Sequence, residues 1–196
     1  MPILDAATKS ELTKLYEAAD RHYHGLRHIE ALLALLEGHR QAFADPEAVE
    51  AAIWFHDAIY DSRRRDNEAA SAELAADRLR SHVDDARLAR IVDMIEATAT
   101  HQVPDFEHEA ARQDAALFLD MDLSILGAPA NAFDAYEAAV RREYGWVSEA
   151  DWRAGRAAVL RNFLARPRIF HSDIFARRFE ARARANMERS LAVLEA

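Results

Sequence analysis

Asp45-Pro46-Glu47-Ala48-Val49-Glu50-Ala51-Ala52-Ile53-Trp54-Phe55-His56-Asp57-Ala58-Ile59-Tyr60 reads as one helix that runs into the interior of a fold. Asp45 is a good helix cap, and Pro46 follows at the first helical position, where its missing N–H costs nothing. The run 51–55 is wholly apolar. His56 and Asp57 therefore come at a point where the chain is entering the core, and a carboxylate buried there without a partner is costly.

The same pattern extends in both directions. Apolar spacings of three and four recur along the chain, and alternating period-two runs are missing. Helices are predicted at 9–19, 26–42, 46–60, 67–81, 85–99, 112–126, 130–144, 149–165 and 173–194. Ser148 with Asp151 resembles a capping box, and Gly127 with Pro129 closes one helix and opens the next. Arg166-Pro167 ends another, and the longest loop is 100–109, with Pro104 inside it. Alanine supplies 42 of 196 residues, whereas Val, Ile and Thr together supply 21. Ala is the best helix former and β-branched residues favour strands, so the expected fold is an all-α bundle of eight or nine helices. Without a repeat or low-complexity linker, a single domain over 1–196 is expected, with the helices of 141–196 packing on its core.

Charge and composition exclude several functions. The net charge is −9, which argues against general nucleic-acid binding. Residues 1–140 hold 13 basic and 27 acidic side chains, while 141–196 hold 12 and 7. That basic block fits either packing on an acidic body or recognition of an anion. No apolar run is long enough to span a membrane, and no secretory signal is visible, so a cytoplasmic location is expected. Cysteine is absent, which leaves histidine and carboxylates as the ligands for any metal.

Neither common glycine-rich phosphate loop is present, and the nucleophile-elbow and His-Glu-x-x-His patterns are also missing. Three clusters remain: Arg21 to His28, Trp54 to Asp61, and Asp120-Met121-Asp122-Leu123-Ser124, the last within an otherwise apolar helix. A His-Asp pair alone is weak, since chance gives about 0.8 such pairs in a chain of this composition. Its apolar setting is more telling, because a bound cation offsets the burial of Asp57 and Asp122. Two imidazole nitrogens and two carboxylate oxygens suit Mn²⁺, Fe²⁺, Mg²⁺, Ni²⁺, Co²⁺ or Zn²⁺, with positions left open for water and substrate.

The order His28, His56-Asp57, Asp122 resembles the H…HD…D pattern of the HD superfamily of metal-dependent phosphohydrolases, which are all-helical. Tyr23-His24-Gly25-Leu26-Arg27-His28, with Asp122-Leu123-Ser124 later, is similar to the core motif of cyclic-nucleotide phosphodiesterases, departing from it at Gly25. The stretch Trp54 to Asp61, then Asn67-Glu68, Ala97-Thr98 with His101, Arg142-Glu143-Tyr144, Gly155-Arg156 and Ala183 to Asn186 resemble a group of small bacterial HD phosphohydrolases. The resemblance implies that His28, His56, Asp57 and Asp122 hold one divalent metal. The paired histidines of the two-metal branch are lacking. It also implies that His24 donates a proton, that Glu68 contacts water or substrate, and that Asp61, Asn67, His101, Arg142, Arg156 and Arg184 are candidates for contacting substrate.

Plainer roles exist for several of these residues. Glu68 also fits a helix N-terminus, where an acid complements the dipole, and each arginine also fits an ion pair between helices. His24 precedes His28 by four residues, placing their Cβ atoms about 5–6 Å apart on one helical face, which suits a proton donor beside a metal. The expected reaction is hydrolysis of a phosphate ester, of a nucleotide or cyclic nucleotide by analogy within the superfamily. In it Asp57 orients or deprotonates water and His24 protonates the leaving oxygen. The rival reading is a sensor module of the same fold that binds metal or nucleotide without turnover.

Overall fold

The computed structural model describes residues 3–196. Among them the chain is all-α, with no strand: α1 (Ala6–Tyr16), α2 (Leu26–Gly38), α3 (Pro46–Phe55), α4 (Asn67–Leu79), α5 (Asp85–Ala97), α6 (Glu109–Leu123), α7 (Ala130–Glu143), α8 (Glu149–Leu164) and α9 (Asp173–Glu195). No helix among the described residues is long and apolar enough to cross a membrane. Each of the nine expected helices is present, but three boundaries bear on the site. Helix α3 stops at Phe55 rather than at 60, with His56 as its C-cap, so Asp57 lies beyond the helix in a turn. Helix α6 begins at Glu109 rather than at 112. It ends at Leu123 in a short 3-10 turn, Ser124–Gly127, so Asp122 stands in the last helical turn and not mid-helix. Helix α2 ends at Gly38 rather than at 42.

Residue contacts group the chain into two compact units, one ending at Met121 and one covering Asp122–Ala196. The division falls inside α6, so no change in composition marks it. Asp122 continues the helix that the first unit builds.

In the first unit α3 is the central element, with Ala48, Val49, Ala51, Ala52, Ile53, Trp54 and Phe55 all buried. It contacts α1, α2, α4 and α5. Both of its ends are pinned by specific polar bonds. At the N-terminus the Asp45 carboxylate caps Ala48 N–H at 3.1 Å and receives Arg87 Nε of α5 at 2.8 Å. The buried Asp114 of α6 accepts the N–H groups of Ala44 and Asp45, each at 2.8 Å. Near the C-terminus Tyr16 Oη donates to the Trp54 carbonyl at 3.0 Å. A helix fixed at both ends holds the residues that follow it in one place.

The second unit contains α7, α8 and α9 with the Ser124–Gly127 turn. Helix α9 packs on α8 and on the turn, where Asn186 Nδ2 donates to the carbonyls of Leu126 and Ala128, both at 2.9 Å. The approach at Gly127 is close: a Cβ there would lie 2.6 Å from Phe179 Cβ and 2.8 Å from its carbonyl oxygen.

Candidate metal centre

Histidine 28 is the third residue of α2, whose buried face is completed by Ile29, Leu32 and Leu36. The amphipathic spacing turns His28 inward with that face, leaving it 7% exposed. His56, at the end of α3, is 1% exposed. Its Nδ1–H donates to the Ile53 carbonyl at 2.9 Å, so Nε2 is the nitrogen turned toward His28 and Asp57. That Nε2 faces His28 Nε2 at 3.2 Å. Two nitrogens each about 2.1 Å from one ion, at right angles, would stand about 3.0 Å apart, close to this separation.

Among the described residues, His28, His56 and Asp122 form a group whose ligand atoms all lie within 4.8 Å of one another, and that group could hold a metal ion. Two imidazoles and a carboxylate are a donor set that first-row divalent ions accept. Asp122 is half-buried, whereas Asp120, two residues earlier, is fully buried. Burial depth in α6 therefore runs opposite to what the apolar flanks of Asp122 suggest.

Asp57 is outside that three-residue group, yet its Oδ2 lies 3.2 Å from His56 Nε2 and 3.8 Å from His28 Nε2. Burial pushes its carboxyl up, but His56, by charge and hydrogen bond, with His24 and His28 adding, outweighs burial and holds it well below the usual carboxylate range. His24 lies in the irregular segment before α2, so it does not share a helical face with His28 as their spacing of four residues suggested. Its ring stacks on Tyr60 at 4.3 Å between centroids and stands 6.3 Å from the His28 ring.

The remaining candidates fall in other settings. Asn67 and Asp61 bind each other, with Asp61 N–H donating to Asn67 Oδ1 at 3.1 Å and Asn67 Nδ2 to the Asp61 carbonyl at 3.0 Å. With Ser71, whose hydroxyl accepts the Ile59 N–H at 3.0 Å, they fasten the segment after Asp57 to α4. Glu68 is half-buried in the first turn of α4. His101 ends the turn after α5 with φ 51°, its N–H donating to the Ala97 carbonyl at 2.7 Å. Histidine is among the residues that tolerate this left-handed conformation.

The three arginines lie in the second unit. Arg142 is exposed on α7. Arg156 is engaged by Glu137 and by Tyr136 Oη. Arg184 pairs with Glu180 at 2.8 Å and donates to the carbonyls of Leu164, Arg166 and Pro167. Both are thus occupied within their own unit: Arg156 makes the inter-helix ion pair that its position also fitted, from α8 to α7, whereas the Arg184 pair lies within α9 itself.

One residue to which the sequence assigned no role is well placed. Arg21 Nη1 donates to the carbonyls of His24 (3.0 Å) and Asp57 (2.6 Å), and Nη2 donates to that of Ala58 (2.8 Å). Its targets are main-chain oxygens, which every residue carries, so no sequence pattern could have announced them. Comparison of the chain with family models, with curated proteins and with solved structures gives no match.

Proposed function

We propose that the chain is a divalent-metal-dependent phosphohydrolase of the HD type that cleaves a phosphate ester, with a nucleotide or cyclic nucleotide as the substrate class. The observation that carries this reading is the opposed pair of buried imidazole nitrogens, 3.2 Å apart, with the Asp122 carboxylate within 4.8 Å. Two ring nitrogens this close need a proton or a cation between them, and the bond from His56 Nδ1 to the Ile53 carbonyl turns its Nε2 toward that gap. His28, His56 and Asp122 would hold the ion, and Asp57 stands beside them.

When bound, a divalent cation supplies Lewis-acid polarisation of a phosphoryl oxygen and eases the ionisation of water. The chain's own residues do the rest. The ionised Asp57 carboxylate accepts a hydrogen bond from the attacking water and orients it. His24, braced on Tyr60, donates a proton to the leaving oxygen. The nucleotide preference rests on the resemblance of the motifs to the HD superfamily, as does the choice of phosphoryl over other esters.

The test is turnover of a panel of phosphate esters with Mn²⁺, Ni²⁺, Co²⁺ and Mg²⁺, beside a binding assay for the same compounds. Hydrolysis in at least one metal is expected. Saturable binding without hydrolysis in every metal would replace this reading with the sensor. His24→Ala should retain the metal and lose about 10²–10⁴ in rate on an alkyl phosphate, but much less on nitrophenyl phosphate, whose leaving group hardly needs a proton. Equal losses on the two esters would remove His24 as the donor.

A further inference from the structure

We infer that Arg21 is a positioning residue that sets the place of His24 against the end of α3; the catalytic part of this inference rests on the phosphohydrolase reading. His24 belongs to residues 22–25, a segment without helical structure between α1 and α2. Something other than a helix must therefore fix it. The carbonyls of Asp57 and Ala58 follow the end of α3, where main-chain oxygens lack intrahelical partners and the helix dipole is negative. One guanidinium meets both, and its Nη1 reaches the His24 carbonyl as well. His24 and Asp57, a proposed proton donor and its carboxylate neighbour, are thus joined through a single nitrogen.

A second path leads from Arg21 to the His24 ring. The guanidinium carbon lies 5.0 Å from the Tyr16 ring centroid and 5.5 Å from that of Tyr60, within the range of cation–π attraction. Tyr60 in turn carries the His24 imidazole, 4.3 Å away and tilted by 26°. Arg21 therefore holds both the main chain of His24 and the ring on which its side chain rests. Only a planar fork with several fixed donors can do this. A lysine ammonium would keep the charge but could not span three carbonyls with the same geometry.

Arg21→Met is the principal variant, with Arg21→Lys as a milder one should the first not fold. Three quantities are measured on each: metal per chain, the imidazole proton resonances of His24 in the metal-free protein (assigned by their absence in His24→Ala), and turnover of an alkyl and a nitrophenyl phosphate. Metal content should stay at the wild-type value. The His24 resonances, displaced in the wild type by the Tyr60 ring current, should move toward those of an exposed histidine. Turnover of the alkyl ester should fall by up to about 10²-fold, the usual consequence of a misplacement near 1 Å, and that of the nitrophenyl ester by less. In a His24→Ala background the same replacement should cost little, because the residue it positions is gone. Unmoved His24 resonances, loss of the metal, or a full additive loss in the His24→Ala background would each overturn the assignment. If the wild type hydrolyses neither ester, the phosphohydrolase reading fails, and the resonances still decide whether Arg21 positions His24.

Discussion

Replacing His56 by Ala separates what its imidazole does for the fold from what it does for a metal. The ring is 1% exposed, donates Nδ1–H to the Ile53 carbonyl, packs edge-on to Phe118 at 5.9 Å between centroids and is the strongest favourable neighbour of the Asp57 carboxylate. Truncation leaves a cavity, a carbonyl with one bond fewer and a desolvated carboxylate short of its main partner. Together these cost about 2–4 kcal/mol in the absence of metal. The metal contribution is distinct. An ion present at about 100 times its Kd stabilises the folded state by about 2.7 kcal/mol, and in a chain of this size that raises a thermal midpoint by about 5–11 °C. Thermal unfolding followed by circular dichroism, with Mn²⁺ and with a chelator, reads both. The wild type should show the metal-dependent rise. His56→Ala should start lower and show none. A rise as large in His56→Ala as in the wild type would refute the assignment of His56 Nε2 as a ligand.

Two further outcomes follow from the ends of α3 and from the second unit. Burial raises the Asp45 carboxyl, but Arg87, Arg90 and the Ala48 N–H outweigh it, and the folded-state pKa is lowered even with Glu47 and Asp114 nearby. A lowered folded pKa means stability that is present above about pH 3.9 and lost as pH falls through the folded value. Asp45→Asn should therefore cost about 1–2 kcal/mol at pH 7 in urea titrations, and the difference from wild type should fade as pH falls below the ordinary carboxylate range; a difference that does not change with pH would contradict the ion pair. Gly127→Ala should destabilise the second unit by about 1–3 kcal/mol, because the new methyl meets Phe179 main-chain atoms that cannot rotate away. Unchanged hydrogen-exchange protection in α9 would show that the close approach is not real.

The helices were legible because each carries its own apolar periodicity and several carry a capping side chain: Asp45, Asp84 and Ser148 each accept a main-chain N–H at a helix start. The ends were harder. The apolar and aromatic residues after His56, Ala58, Ile59 and Tyr60, prolong the pattern of α3 although the chain has already turned, because burial continues past the last helical bond. The juxtaposition of His28, His56 and Asp122 was legible only through the resemblance of their order to a known motif, since no local rule brings positions 28, 56 and 122 together. The arginines divide instructively. A guanidinium at position 156 or 184 announces a charge but not its partner, and the structure pairs these two with Glu137 and Glu180. Arg21 was silent for the opposite reason, because it binds carbonyls and so leaves no complementary residue to find.

The metal content of the protein tests the central claim most directly. Wild type, Asp122→Ala and His28→Ala are dialysed against the same divalent ion, freed of excess and counted by elemental analysis. One ion per chain in the wild type and none in either variant is the predicted result. A metal-free wild type, or variants that keep their ion in full, would contradict the assignment of His28, His56 and Asp122 as a metal centre.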